Sequence, residues 1–144
     1  MNTFAKILVP IKQDLILLEQ HLKRIYKENS LLSYERFLEN FKGKRLRPAL
    51  MFLSARVSER SSSKRRSATK HLIHAASAIE LLHTASLIHD DIIDASPLRR
   101  GNQTAHMRFG VNEAIVLADW LISKAFLELT ECNNKKAQTI IIKA

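Results

Sequence analysis

Leu8, Ile11, Leu15, Leu18, Leu22 and Ile25 recur at spacings of three and four, an apolar seam over about five helical turns. Such a seam predicts packing against a neighbouring helix or subunit. A second, shorter helix is predicted over residues 33–41, with Phe37, Leu38 and Phe41 on its apolar side. The basic turn Lys42-Gly43-Lys44-Arg45-Leu46-Arg47 follows, and Pro48 fits the first turn of the next helix, where a missing N–H costs nothing. That helix runs through Leu50, Phe52, Leu53 and Val57. Residues 58–67, SERSSSKRRS, read as a solvated inter-helix loop. Residues 68–94 form a long segment that is apolar almost all round, carrying Ala75, Ala76, Ala78, Ile79, Leu82, Ala85, Leu87 and Ile88. A helix of that kind belongs at the centre of a bundle. Ser96-Pro97 breaks it, Arg99-Arg100-Gly101-Asn102 makes a polar turn, and a last helix covers residues 111–131. Beyond it, NNKKAQ and TIIIKA suggest no continuation.

Composition narrows this picture to an all-α helical bundle. With only 3 Gly and 3 Pro in 144 residues, the turn-rich background of a β fold is missing. The length suits one domain, residues 1–144, with a single modest core. The net charge of +9 favours anionic partners without choosing among nucleic acid, phosphorylated small molecules and a membrane surface. Cys132 is the single cysteine, so the chain has no internal disulfide and no thiolate cluster. No apolar run reaches the ~18 to 20 residues that span a bilayer. Residues 1–10 lack the layout of a secretory signal. The expectation is a cytoplasmic protein, with an organelle as the alternative.

The sharpest chemistry lies at the end of the long helix, in Asp90-Asp91-Ile92-Ile93-Asp94. Asp90 and Asp94 share a face. At ~6 Å and an effective dielectric near 20, each like-charge pair costs roughly 3 kcal/mol. The C-terminal end of a helix dipole is also unfavourable to anions. A bound divalent cation relieves both, and magnesium typically takes one or two carboxylates plus phosphate oxygens and water. A solvated acidic helix end is the plain alternative. Arg99 and Arg100 follow within one turn, and Lys44, Arg45 and Arg47 form a second basic group suited to phosphate oxygens. The second group also reads as a solvated helix start. His83, two turns before Asp90 on the same side, is either a ligand or a packing residue.

GKRLRP, ELLHTASLIHDDIID and PLRRGNQTAH occur here in this order. Together they resemble the trans-polyprenyl diphosphate synthase family over residues 7–130. The resemblance implies part of an isoprenoid-synthase fold, its N-terminal portion. It implies condensation of isopentenyl diphosphate with an allylic diphosphate, with Mg2+ as cofactor. In that pattern Asp90, Asp91 and Asp94 form the first aspartate-rich motif, with Asp90 and Asp94 the more direct metal ligands. Asp90, Asp94 and Arg99 would be catalytic. Arg99 would contact the allylic diphosphate and Arg100 would face isopentenyl diphosphate. Lys44, Arg47 and His83 would bind isopentenyl diphosphate, while Arg45 reads as solvated. Ionisation, condensation and elimination would then give a new trans double bond. Ala85 and Ser86, five and four positions before Asp90, resemble the open tunnels of long-chain synthases; close helix packing explains two small residues equally.

This sequence departs from that pattern in several places. No second DDxxD follows Asp94, and Asp119 is the only later aspartate. The family's Lys-Thr pair and later lysines and glutamine are likewise not in this sequence. Ala95 stands where many relatives are acidic, Ala118 where glycine is common, and Phe41-Lys42 where small residues are usual. The expectation is therefore a truncated chain with little activity alone, a homodimer or heteromer whose central helix is under-covered. Two alternatives carry other expectations: a non-catalytic subunit paired with a complete prenyltransferase, and a basic helical nucleic-acid binder. The second is disfavoured, because three carboxylates repel a phosphate backbone, and no nucleic-acid partner is expected.

Overall fold

The computed structural model describes residues 3–28, 32–40, 43–58 and 65–143. Phe41, Lys42 and most of the 58–67 loop lie outside those residues. The N-terminal seam is interrupted at Pro10. Helix α1 (Thr3–Leu8) ends there, a 3-10 turn covers Val9–Ile11, and α2 (Lys12–Lys27) resumes. Ile11, Leu18, Leu22 and Ile25 are buried as the periodicity predicts. Asp14 in the first turn of α2 and Arg24 and Lys27 in its last turn complement the helix dipole. Asp14 is itself buried and receives Arg56 Nη2 at 2.7 and 3.0 Å, which ties α2 to α4 (Leu46–Ser58).

Helix α3 (Leu32–Asn40) buries Phe37 and Leu38. In α4, Phe52 enters the core whereas Leu50 and Val57 face outward. Helix α5 (Arg65–Ile93) begins a few residues before its sequence-based start and packs along α7 (Val111–Glu131) while touching α2 and α4. It is central, but better covered than its composition suggests. Among the described residues, the only large apolar side chain of α5 that is strongly exposed is Ile93; open apolar surface lies on other helices, at Val116, Phe126 and Leu127 of α7 and Leu50 and Val57 of α4 among them. Small residues explain the difference: Ala75, Ala76, Ala78 and Ala85 are buried because neighbours approach α5 closely.

Three short elements depart from the expected layout. Residues 98–103 form a two-residue hairpin, β1 (Leu98–Arg99) antiparallel to β2 (Asn102–Gln103). Arg100 and Gly101 at its tip have φ of 52° and 82°, the two left-handed positions of a type I′ turn. Helix α6 (Ala105–Phe109) follows, and Gly110 (φ 95°) ends it. A Cβ at Gly110 would lie 2.8 Å from Glu113 Oε2. Tyr34 and Phe37 pack edge-on against Phe109, at 4.7 and 5.2 Å between ring centroids, which docks α6 on α3. Finally, α8 (Lys135–Lys143) continues the chain. The Asn134 side chain caps it by accepting from the Ala137 amide at 3.1 Å, and Gln138 donates to the Leu129 carbonyl at 2.7 Å. Among the described residues, no helix is long and apolar enough to cross a membrane.

Candidate diphosphate and metal site

Helix α5 ends in a Schellman motif. The Ser96 amide donates to the Asp91 carbonyl at 2.9 Å and the Ala95 amide to Ile92 at 3.2 Å. Ala95 takes the left-handed position at φ 49°, where glycine is usual. This cap turns the chain sharply after Asp94 and brings the hairpin back beside the helix. Thr104 fixes the return: its hydroxyl donates to the Ser96 carbonyl at 2.8 Å and its amide to Pro97 at 3.2 Å.

The three aspartates separate. Asp90 and Asp94 are exposed on one face, whereas Asp91 is 2% exposed. Asp91 accepts Arg99 Nε at 2.8 Å and Nη2 at 2.7 Å, a bidentate pair. The hydrogen bonds that Arg99 donates to Asp91, with smaller contributions from the charges of Asp91, Asp90 and Asp94, hold its pKa above its ordinary value despite partial burial. Among the described residues Asp90 and Asp94 make no salt bridge, so their oxygens are presented outward.

Beside the hairpin lies a cavity of about 320 Å³, lined by Gly43, His83, Thr84, Arg99, Arg100, Gln103 and Arg108 among others. Phe37, Leu87 and Leu98 supply its apolar wall. The Arg100 guanidinium lies against Gly43, where an added Cβ would make an ordinary contact at 3.5 Å. His83 is held below its ordinary pKa by burial first, then by the positive field of Arg47, with Arg99 and Arg100 adding to it and Glu80 opposing. Arg47 therefore acts on the cavity although it does not line it; Lys44 is exposed nearby in sequence and also does not line it.

Arg45 corrects the expectation of a solvated cation. Its side chain is 9% exposed and bridges two helices, donating from Nε to Glu19 at 2.6 Å and from Nη1 to Glu80 at 2.5 Å. These partners raise its pKa against the cost of burial. Tyr26, buried beside this cluster, is pushed up to about 12, chiefly by desolvation. Ala85 and Ser86 also part company. Ala85 is packed in the core, while Ser86 is exposed one turn before Asp90.

The site uses residues that pattern reading did not single out, namely Glu80, Thr84, Gln103 and Arg108. Glu80 had a signal, an acid inside an otherwise apolar helix, three residues from His83. Arg108 had only the bracket of Thr104 and Gly110 around a five-residue helix.

A family model described as polyprenyl synthetase matches residues 31–144. Solanesyl-diphosphate synthase 2, chloroplastic, of Oryza sativa subsp. japonica is 36% identical over 132 residues, 90% of this chain and 32% of that protein. The geranylgeranyl diphosphate synthase of Methanosarcina mazei is 38% identical over 116 residues, 81% of this chain and 34% of that one. Among solved structures, a polyprenyl synthase from Caulobacter crescentus complexed with calcium and isoprenyl diphosphate aligns with a TM-score of 0.82 at 27% identity, covering 96% of this chain and 41% of the other. The chain thus spans well under half the length of each of these three proteins.

Proposed function

The chain belongs to the polyprenyl synthetase family, and on that premise we propose that it carries one half of a trans-polyprenyl diphosphate synthase site, the isopentenyl-diphosphate cavity and the first magnesium-binding edge. The observation that carries the reading is the pairing of exposed Asp90 and Asp94 with an arginine- and histidine-lined cavity across a single capped helix end.

The donor set fits magnesium. Asp90 and Asp94 offer hard oxygen donors one helical turn apart, while Asp91 is engaged by Arg99 and serves the edge through it. When bound, magnesium supplies positive charge to a departing diphosphate. In this reading Arg99, held by Asp91, meets the allylic diphosphate; Arg100 and His83 hold isopentenyl diphosphate from the cavity wall, and Lys44 and Arg47 join them from outside that wall. Phe37, Leu87 and Leu98 keep water from an electron-poor allylic carbon. For product length, Ser86 supports an open path along the exposed face of α5, and Ala85 does not. A homodimer or heteromer belongs to the same reading, supported by the exposed apolar residues of α7. So does residence in the cytoplasm or an organelle.

Calorimetric titration with pyrophosphate, with and without magnesium, tests the assignment. Binding is expected to depend on magnesium and to be lost in Asp90→Ala and Asp94→Ala. Unchanged magnesium-dependent binding in both variants would remove the site. Given labelled isopentenyl diphosphate and an allylic primer, the 144-residue polypeptide is expected to give no extended product, because Asp90 and Asp94 provide only one side of a metal cage.

A further inference from the structure

Far from the diphosphate cavity, His21 of α2, His74 of α5 and Glu128 of α7 converge. His21 Nε2 lies 2.7 Å and His74 Nδ1 2.8 Å from the same carboxylate oxygen, Glu128 Oε2. One ligand atom from each residue falls within 4.8 Å of the other two. The imidazoles meet edge to face at 4.9 Å between centroids. All three side chains are largely shielded, at 16%, 12% and 13% exposure. His74 precedes Asp90 by sixteen residues on α5, about 24 Å along the helix axis.

We propose that His21, His74 and Glu128 form a second metal site, one that takes a borderline-soft transition-metal ion such as Zn2+ and clips α2, α5 and α7 together. Two imidazole nitrogens and one carboxylate are the donor set of open, three-ligand zinc sites. Zinc–ligand bonds of ~2.0 to 2.2 Å in a tetrahedron put the donors roughly 3.4 Å apart. The Glu128 oxygen therefore has to part from each nitrogen by about 0.6 to 0.7 Å, within reach of small χ adjustments. The fourth position faces a cavity lined by Gln20, His21, Arg24, Lys70 and His74, open to water or a small anion.

The protons balance without an outside acid. Arg24 Nη2 lies 3.2 Å from His21 Nδ1, and a guanidinium only donates, so neutral His21 carries its hydrogen on Nε2 toward Glu128. His74 likewise donates from Nδ1 to the same oxygen. Binding moves each ring proton to the other nitrogen, and Arg24, which is exposed, turns away from His21. With both rings neutral, no net proton is released. Two neutral imidazoles and one carboxylate leave a net charge of +1 on the loaded site, which Arg24, Lys70 and Arg56 oppose, while Asp14 is already paired with Arg56. Hard ions such as magnesium gain little from imidazole, so this site and the Asp90 edge select different metals.

Titration of the folded full chain with Zn2+ by calorimetry, in a buffer that does not chelate, tests this, with magnesium as the comparison ion. One zinc per chain is expected, with a rise in Tm. Cobalt substituted for zinc is expected to show tetrahedral d–d absorption. His74→Ala and the near-isosteric Glu128→Gln should each weaken zinc binding by more than about tenfold. Asp90→Ala/Asp94→Ala and His71→Ala should leave it unchanged, which separates this site from the diphosphate edge. Circular dichroism checks that each variant is folded. A folded wild-type chain that takes up no stoichiometric zinc would overturn the proposal, leaving Glu128 as a hydrogen-bond acceptor only. So would zinc binding that survives both His74→Ala and Glu128→Gln.

Discussion

Arg99 and Asp91 lock each other in place: the guanidinium meets both oxygens of a carboxylate that is itself only 3% exposed. The pair explains why one aspartate of DDIID turns inward while its neighbours face solvent. Arg99→Ala would leave a buried carboxylate without its cation. The expected cost is about 2 to 3 kcal/mol in urea unfolding. Asp91→Asn in the Arg99→Ala background should restore part of it, since the uncompensated charge is then gone.

Arg45 carries a larger stake. Glu80 is 6% exposed and depends on Arg45 Nη1, so Arg45→Met is expected to destabilise by about 3 to 5 kcal/mol. Adding Glu80→Gln should recover a measurable part. If Arg45→Met melts like wild type, the bridge between α2 and α5 contributes nothing.

The helix cap predicts a gain. Ala95 sits at φ 49° in a position suited to glycine. The left-handed conformation costs an L-residue about 1 to 2 kcal/mol, and glycine returns about 0.4 to 1 through its looser unfolded chain. Ala95→Gly should therefore stabilise by about 0.5 to 1 kcal/mol, seen as a higher Tm. An unchanged or lower Tm would show that the cap is not strained.

His83 sets a pH dependence. Its pKa lies below 6.5 in the folded chain. Above 6.5 the ring is neutral in folded and unfolded chains alike and contributes no difference. As pH falls through that value the unfolded chain takes up a proton that the folded one resists, so stability declines until the pH is below the folded value. A diphosphate in the cavity sets negative charge against the ring and lifts its pKa again. Pyrophosphate binding should then take up a proton and tighten, relative to His83→Gln, as pH drops from about 7.5 to 6. Parallel pH profiles for the two proteins would show that His83 does not face the ligand.

Much of the frame was legible because residues 8–25 carry an apolar seam of helical period and the segment that forms α5 is long and apolar almost all round. That Arg99 returns beside the DDIID segment was legible from local spacing. What escaped depends on contacts that spacing does not encode. Which cation of the 42–47 run turns inward is decided by Glu19 and Glu80, 26 and 35 residues away. Helix α8 is rich in β-branched isoleucine, a poor helix former, and holds through the Asn134 cap and the Gln138 bond to Leu129. The hairpin showed only Gly101, because Arg100 adopts φ 52° against its own preference. Exposed apolar residues appeared on other helices, α4 and α7 among them, rather than along α5, since alanines draw neighbours close to α5.

The ties that shape the acidic edge all close over short stretches of chain. Ser96 reaches back to Asp91, Arg99 to Asp91, and Thr104 to Ser96, none spanning more than eight residues. Loop-closure entropy for such contacts is small, and local pairings form early. This corner of the molecule can thus assemble during synthesis, before α2 has found α7, and act as a template on which the distant helices register. A slip that misplaces α2 would cost the Arg45 bridge yet leave the spacing of Asp90, Asp94 and Arg99 intact.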